Sequence, residues 1–465
     1  MDQLGSGSNV SKGDGMTIQL LALAIFVGVF AVSAWRNAHL GVLMFAAASG
    51  VGLALAGMPI DDVVDGFPID ILVLLVGVTY FFGIAHANGT IDRIIEVTLA
   101  RVGHRTVLLP LVFFLLTAAI SAMGSPLGGL VMAPIGMMVA DKRAIDPMLM
   151  ALSIGTGLSA GAFAPTSLFG IVTYGTAHQA GIALNPFVLL VVAVVVNLVL
   201  LAVAYVLFGG LKLQRNVVAE PAVALAAESQ LVTVGGGSGR GEPHGAGASP
   251  AVPSEPERKP FTPNQIATVT AMVGLIGTVI GMSLAGMDPD IGVLAFALGA
   301  VLTLIDPRSG NKAIPRIDWS TVLLVGGIIT FVGVLDNLGS VDLLGEFAGH
   351  IGVPLLSALF ICLVAGLVSA FASTTGMLAA LVPLALPLVA AGGIPGWALM
   401  CALGVCASIV DVSPFSTVGA TLVATTVDEA QRPRMTRLLM RWGLSMVLIG
   451  PVLLVGALVV PGTVL

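Results

Sequence analysis

Two stretches of the chain, GTGLSAGAFAPTS at residues 155–167 and ASIVDVSPFSTVG at residues 407–419, each place a proline and several hydroxyl side chains inside a long apolar run. A constant offset of 249 residues relates them and carries Pro165 onto Pro414. Proline removes a backbone donor and glycine adds backbone freedom, so each run is predicted to be a helix broken near its middle. The predicted broken helices cover residues 148–178 and 396–427.

The same offset relates other parts of the two halves of the chain. It carries Ser167 onto Ser416, Pro134 onto Pro383, and the letters LLVG at residues 74–77 onto LLVG at residues 323–326. A chance likeness between two alanine- and leucine-rich segments would not align proline, serine and glycine at one offset. We interpret the chain as an internal repeat.

The composition restricts the class of protein. Of the 465 residues, 57% are hydrophobic and 9% are charged, with 58 glycines besides, whereas soluble proteins carry about 25% charged residues. Such a chain cannot cover a water-facing surface, which excludes a soluble enzyme, a nucleic-acid binder, a secreted disulfide scaffold and a disordered hub. Cys362, Cys401 and Cys406 lie in apolar segments without metal-ligand spacing and are interpreted as packing residues.

The apolar runs are long and continuous, which favours membrane-spanning helices over the short alternating strands of a barrel. The first run, Ile18 to Trp35, has no small-residue cleavage site after it and is interpreted as a retained span. Ten crossings with both termini outside put every lysine and arginine except Lys12 in inside loops, as the positive-inside rule requires. The predicted segments are an outer tail at 1–16, a first repeat at 17–211, a flexible cytoplasmic linker at 212–262 and a second repeat at 263–465.

Two further apolar stretches, at residues 106–140 and 353–390, are interrupted by small and polar residues. The arm Leu127–Ala140 would reach only ~21 Å at 1.5 Å per residue, less than the ~30 Å hydrocarbon core. We predict two re-entrant helical hairpins whose turns line protein or a wet cavity. Each half then has five crossings and one hairpin, and because five is odd the halves insert with opposite orientation. The predicted fold is an all-α polytopic membrane protein with two inverted-topology repeats, which is typical of secondary transporters.

A broken helix exposes N–H groups at one new end and C=O groups at the other, which attract anions and cations respectively. Hydroxyl side chains cluster at the predicted breaks and hairpin turns. They are Ser125, Thr166, Ser167, Ser373, Thr374, Thr375, Ser413, Ser416 and Thr417.

Asp411 is the carboxylate placed deep in a predicted span, where an ionisable residue is a functional candidate. Its sign suits binding Na+ or carrying H+, and the sequence leaves both open. Lysine and arginine are absent from the predicted span centres, so an anionic substrate would lack a fixed counter-charge. Co-bound cations could supply that charge, which favours cation symport over uniport.

Through ISAMGSPLGGLVMAPIG at residues 120–136 and SAGAFAPTSLFGIVTYGTA at residues 159–177, the chain resembles the N-terminal domain of the MatC dicarboxylate (malonate) carriers, over roughly residues 17–208. More widely it resembles the divalent anion/sodium symporter family within the ion transporter superfamily. That family pairs two hairpins, each with a Ser-Asn-Thr tip, with two broken helices of Thr-Pro type. Here the tips read Gly124-Ser125-Pro126 and Ser373-Thr374-Thr375, without the asparagine.

The resemblance implies Na+-dependent uptake of a small dicarboxylate such as malonate, a homodimer, and an elevator motion of the hairpin-bearing domain in a bacterial cytoplasmic (inner) membrane. It implies no enzymatic activity and no cofactor, with Na+ as the coupling ion. The substrate-binding residues it implies are Gly124, Ser125, Pro126, Thr166, Ser167, Ser373, Thr374, Thr375, Ser416 and Thr417. The Na+ ligands it implies, together with the charge of Asp411, are Ser125, Ala162, Ala164, Ser373, Asp411 and Ser413.

Other functions stay open at this point. An H+-coupled carrier of another organic or inorganic anion would share the fold, and an arsenite, gluconate or Na+/H+ exchange substrate also remains open. An ion channel would need polar lining along several spans, whereas the polar residues here gather at two breaks and two turns. An aspartyl intramembrane protease needs two buried aspartates, and the spans offer one; no HExxH pair is present either.

Overall fold

The computed structural model describes residues 12–36, 38–102, 106–124, 126–179, 181–209, 260–285, 287, 290–340, 343, 354–370, 374–385, 388–389 and 393–462. This part of the chain is helical and contains no strand, which confirms the all-α prediction. The predicted linker at 212–262, apart from its last residues, and most of the tail at 1–16 lie outside the described residues.

The described part of the first half contains ten helices, with a break after the eighth. They are α1 (Lys12–Arg36), α2 (Leu40–Ser49), α3 (Ile60–Val64), α4 (Ile69–Ala87), α5 (Thr90–Val102), α6 (Leu109–Ser121), α7 (Met132–Lys142), α8 (Pro147–Ala162), α9 (Leu168–Gln179) and α10 (Pro186–Leu207). A π-helical segment, Gly50–Leu55, continues α2, and a 3-10 segment, Pro126–Val131, leads into α7.

The described helices of the second half end in a long terminal helix. They are α11 (Pro263–Leu284), α12 (Ile291–Ile305), α13 (Pro307–Ala313), α14 (Trp319–Asn337), α15 (Pro354–Ser369), α16 (Thr374–Leu384), α17 (Gly396–Ile409), α18 (Thr417–Ala424) and α19 (Arg432–Leu454). A π-helical segment, Val455–Val459, and a final turn, Val460–Gly462, extend α19.

Five of the described helical segments are long and apolar enough to cross a membrane unaided. They are Met16–Ser33, Ile69–Ala87, Pro186–Leu207, Trp319–Asn337 and Glu429–Gly462. The shorter apolar helices include both first arms of the predicted hairpins, α6 and α15, and both first parts of the broken helices, α8 and α17. The chain is a multi-pass membrane protein in which the short helices lie among the long ones.

Helix boundaries recur at the offset found in the sequence. α8 begins at Pro147 and α17 begins at Gly396, 249 residues later; α9 begins at Leu168 and α18 at Thr417, again 249 residues apart. The order of hairpin arm, broken helix and long helix is the same in both halves. The relative orientation of the halves in the membrane, and hence the inverted topology, stays a prediction.

Helices of the two halves pack closely against each other at glycine residues. α2 packs against α14, and α4 packs against α12. A Cβ at Gly41 of α2 would lie 2.1 Å from the Leu323 carbonyl oxygen, and a Cβ at Gly292 of α12 would lie 2.6 Å from the Leu74 Cα. Small residues are the usual means by which membrane helices approach so closely. These two helix pairs therefore join the halves along their lengths.

The broken helices form the centre of the protein. Every residue of α8 from Met148 to Ala162 is buried, as is every residue of α17 from Ala398 to Ile409. α6 packs directly on α8 because Gly157 and Gly161, one turn apart, face it: a Cβ on Gly161 would lie 2.0 Å from the Ala118 carbonyl oxygen. The first hairpin arm and the first broken helix thus form one tightly packed unit.

Candidate functional site

The two breaks share a backbone hydrogen-bond pattern: the Ser167 N–H donates to the Ala164 carbonyl, and at the same offset the Ser416 N–H donates to the Ser413 carbonyl. The chain leaves α8 after Ala162 and re-enters a helix at Leu168, and it leaves α17 after Ile409 and re-enters at Thr417. Ser416 caps α18, with its Oγ accepting the Gly419 N–H at 3.1 Å. An accepting hydroxyl at this position satisfies one of the free donors at a helix start.

A glycine closes each break. A Cβ at Gly170 would lie 2.2 Å from the Ala164 carbonyl oxygen, and a Cβ at Gly419 would lie 2.0 Å from the Ser413 carbonyl oxygen. The carbonyl groups of the broken segment are therefore folded against the first turn of the following helix. No side chain fits at either position while the break keeps this shape.

Hydroxyl groups of the breaks cap the ends of the hairpin arms. In the first half, Thr166 Oγ1 donates to the Ala122 carbonyl at 2.7 Å and Ser167 Oγ donates to the Ser121 carbonyl at 2.6 Å. In the second half, Ser413 Oγ donates to the Ala370 carbonyl at 2.7 Å. The last carbonyls of a helix have no partner within it, so these bonds hold each hairpin arm to its neighbouring break.

This capping decides which charge the hydroxyl groups can bind. A hydroxyl has one proton, and once that proton is donated to a carbonyl only lone pairs remain. Thr166, Ser167 and Ser413 in this arrangement suit a cation and cannot donate to a carboxylate. Donors for an anion are instead the backbone N–H groups at the starts of α9, α16 and α18, which have no carbonyl partner within their own helix.

The second half-site is built around Asp411, which is half-buried. The hydroxyls of Thr374, at the start of α16, and of Ser416 lie near its carboxylate, and Ser416 Oγ donates to the Asp411 backbone carbonyl. Thr374 Oγ1 also contacts Ser369 Oγ at 2.9 Å, and Ser369 Oγ donates to the Ala407 carbonyl at 2.7 Å. Asp411 therefore lies between the second hairpin and the second break, in contact with side chains from each.

The first half-site lacks this charge. The offset of 249 places Ala162 where the second half has Asp411, and Ala164 where it has Ser413. Ala162 and Ala164 are buried, so only their backbone carbonyls could contact a cation. The two half-sites share a backbone shape and differ in charge.

A hydrogen-bonded chain links the two broken helices. Ser159 of α8 and Ser408 of α17, 249 residues apart, bring their Oγ atoms to 2.7 Å. Contact between equivalent side chains places them where the two halves meet. Asn197 of α10 donates from Nδ2 to Ser159 Oγ at 3.2 Å and to the Ala193 carbonyl at 2.9 Å. Asn197 is fully buried, and its Oδ1 has no partner within the described part of the chain.

The fixed charge of this centre is negative. α8 and α17, joined by the Ser159–Ser408 contact, both end close beyond it, and the roughly half negative charge at each C-terminus is offset by the roughly half positive charge at the start of α9 or α18 across the same break. Asp411 adds a carboxylate. The sequence has no lysine or arginine at 147–179 or at 396–424. A negatively charged substrate bound here would find no lysine or arginine of these two segments as a counter-charge.

The structure also places the other predicted site residues. Gly124 is buried beyond the end of α6 with φ +96°, a backbone conformation that favours glycine. Pro126 opens the 3-10 segment that precedes α7, Thr375 is buried in α16, and Thr417 is exposed at the first position of α18. Ser125 and Ser373 lie outside the described residues.

Each hairpin also reaches the opposite half. α16, the second arm of the second hairpin, packs against α9, and α18 packs against α7, the second arm of the first hairpin. The predicted half-sites are therefore neighbours and not two separate pockets.

Sequence analysis missed Ser159, Ser408, Asn197 and Ser369 as members of this centre. The 249-residue spacing of Ser159 and Ser408 is the signal that could have found the first two.

The comparison with known families bears on the first hairpin and first broken helix. Residues 16–162 match the family model for the dicarboxylate carrier protein MatC N-terminus. The match covers about a third of the chain and ends at Ala162, the last residue of α8. The resemblance to MatC carriers is thereby confirmed, and it identifies residues 16–162 as a MatC-like region. No curated protein matches the chain. The superfamily resemblance stays a prediction.

The Ser159–Ser408 contact is expected to couple the two broken helices energetically. Replacing both serines with alanine should destabilise the protein by less than the sum of the single changes, with a coupling of about 0.6 kcal/mol, typical of hydrogen bonds inside membrane proteins. The free energy of unfolding of the four proteins of the double-mutant cycle, from denaturing-detergent titration, measures it. Ser153 bonds only its own helix, at Leu149 O, so a Ser153→Ala/Ser408→Ala cycle should be additive. Additivity in the Ser159–Ser408 cycle would contradict the coupling.

Proposed function

We propose that the chain is a secondary active transporter that takes up a small dicarboxylate such as malonate together with Na+. The observation that carries this proposal is the meeting of two broken helices at the Ser159–Ser408 contact, with two hairpin ends capped by hydroxyl groups of the breaks. The MatC-like region covers one hairpin and the first part of one broken helix. A dicarboxylate carrier accounts for both the meeting of the broken helices and the MatC-like region.

Cation coupling follows from the charge of the centre. Asp411 and a doubly negative substrate would together place several negative charges in a region of low dielectric, without a lysine or arginine from either broken helix. Hydroxyl oxygens whose protons are already donated, at Thr166, Ser167 and Ser413, are suitable ligands for a small hard cation. We assign one cation to each half-site, with backbone carbonyls as the remaining ligands. Ser125 and Ser373 stay proposed ligands by position.

An inverted arrangement of the two repeats and an elevator motion complete the proposal. In support, the helix boundaries recur at one offset, and each hairpin packs on the broken helix of its own half and on the following helix of the other half. The hairpins and broken helices would move as one body against the glycine-packed pairs α2–α14 and α4–α12. We further propose a homodimer in a bacterial inner membrane with both termini outside, an orientation that the distribution of lysine and arginine supports.

Uptake of radiolabelled malonate into proteoliposomes tests the function. An inward Na+ gradient is expected to drive malonate accumulation several-fold above the level reached without the gradient, because Na+ neutralises the bound carboxylates. Unlabelled succinate should compete better than citrate, since a tricarboxylate brings a third charge to the same centre. Absence of any dicarboxylate uptake would remove the substrate class.

The coupling ion has one specific alternative. Asp411 is a carboxylate at the second break, near the Thr374 hydroxyl, and a carboxylate in a membrane span can carry a proton, so Asp411 favours H+ coupling as the second candidate. The same vesicles distinguish the two: uptake that ignores Na+ and follows an imposed pH gradient would replace Na+ with H+ in the proposal.

A further inference from the structure

The terminal helix α19 has an exposed stripe whose chemistry changes along its length. The stripe begins with arginines and continues with aliphatic side chains, at spacings of three or four residues that keep them on one helix face. Its exposed members are Arg434, Arg437, Arg441, Leu444, Leu448 and Val452. A helix face that turns from guanidinium groups to hydrocarbon side chains marks the boundary between lipid headgroups and lipid tails.

The length of the helix places that boundary at Arg441. From Arg441 to Gly462 the helical segment rises ~32 Å at 1.5 Å per residue, which matches the ~30 Å hydrocarbon core. The ring of the next residue, Trp442, has its centroid 6.4 Å from that of Phe208, at the end of α10, and the two rings are tilted by 57°. Tryptophan is enriched at this depth. Arg437 and Arg441 are therefore at headgroup level.

These two arginines differ from their neighbours in their partners. Arg434 Nη2 lies 3.0 Å from Asp146 Oδ2, and Arg432 Nη1 lies 3.1 Å from Glu429 Oε1. Arg437 Nε donates to the Pro433 carbonyl at 3.3 Å. Among the residues that the structure describes, no carboxylate lies within 4.0 Å of the Arg437 or Arg441 guanidinium. The guanidinium groups of Arg437 and Arg441, at headgroup depth, thus have no acidic partner in the described part of the chain.

We propose that Arg437 and Arg441 bind the phosphate of an anionic phospholipid whose acyl chains lie along Leu444, Leu448 and Val452. Residues four apart on a helix have neighbouring Cβ atoms, about 5–6 Å apart, so both guanidinium groups can reach one phosphate. Arginine matches phosphate through paired N–H donors. An anionic headgroup is selected over a zwitterionic one because the latter carries its own ammonium group.

The test measures lipid binding to the purified full-length protein in detergent by native mass spectrometry, with phosphatidylglycerol and phosphatidylcholine at equal concentrations. The wild-type chain should retain phosphatidylglycerol preferentially. The variant Arg437→Gln/Arg441→Gln should lose about 30-fold of that preference, which corresponds to ~1 kcal/mol for each arginine near an anionic surface. The matched control is Arg308→Gln/Lys312→Gln, two exposed basic residues of α13, and it should keep the preference.

Three results would overturn the proposal: an unchanged preference in the Arg437/Arg441 variant, an equal loss in the Arg308/Lys312 control, or equal displacement of the lipid by inorganic phosphate. Melting temperature in lipid-free detergent checks folding, and because all four side chains are exposed it should be the same in the three proteins. Transport is not part of the readout, so the outcome is independent of the proposed dicarboxylate uptake.

Discussion

Asp411→Asn is expected to raise the Na+ concentration that half-saturates malonate uptake at least tenfold. The substitution keeps the size of the side chain and an oxygen next to Thr374 and Ser416, and removes the negative charge. An interaction with a charged group contributes about 1.5–3 kcal/mol, and 1.4 kcal/mol is a factor of ten in affinity. Initial rates of uptake in proteoliposomes across a series of Na+ concentrations measure the change.

The control for this prediction is Asp336→Asn, an exposed carboxylate near the end of α14. Its half-saturating Na+ concentration should equal that of the unmodified protein. If Asp411→Asn transports malonate normally with an unchanged dependence on both Na+ and pH, the assignment of Asp411 to a coupling ion is wrong. A variant that loses its pH dependence and keeps its Na+ dependence would assign Asp411 to a proton.

The local parts of the fold could be predicted because they depend on residues close in sequence. Pro165 and Pro414 interrupt their runs wherever they are packed, and the helices do end nearby, at Ala162 and Ile409. The repeat could be found because one offset aligns residue types that random apolar segments do not align. Composition alone indicated a membrane protein, since 9% charged residues cannot cover a water-facing surface.

The partners of the site residues could not be predicted, because they come from helices distant in sequence. Thr166 is 44 residues from Ala122, whose carbonyl accepts its hydrogen bond, and Asn197 is 38 residues from Ser159. From sequence, a hydroxyl at a break serves a substrate carboxylate as well as it serves a cation. The hydrogen-bond partner of the hydroxyl decides between the two. Because α6 packs on α8, the hydroxyl donates to a carbonyl at the end of α6, and its oxygen is then left to bind a cation.

The largest loss of both stability and transport is expected from Gly170→Ala and Gly419→Ala. Each added methyl group would overlap a backbone carbonyl, of Ala164 at 2.2 Å or of Ser413 at 2.0 Å. A backbone atom cannot turn aside as a flexible side chain can, so the break itself must change shape. Overpacking of this kind costs about 1–3 kcal/mol or more, and it displaces carbonyl groups proposed as cation ligands. We expect a lower melting temperature and malonate uptake reduced at least tenfold.

Gly277→Ala separates this effect from the general effect of replacing a glycine. Gly277 is inside α11 with nothing within 4 Å of the position a Cβ would take, so alanine there should stabilise the helix by up to about 1 kcal/mol. Transport by that variant should be unchanged.

Because Gly170 and Gly419 occupy equivalent positions in two half-sites that differ in charge, their alanine variants should lower stability similarly. Only Gly419→Ala lies in the half-site that contains Asp411, against the Ser413 and Val412 carbonyl groups, so it should also raise the half-saturating Na+ concentration. Normal uptake by either variant would show that its break does not need the shape described above.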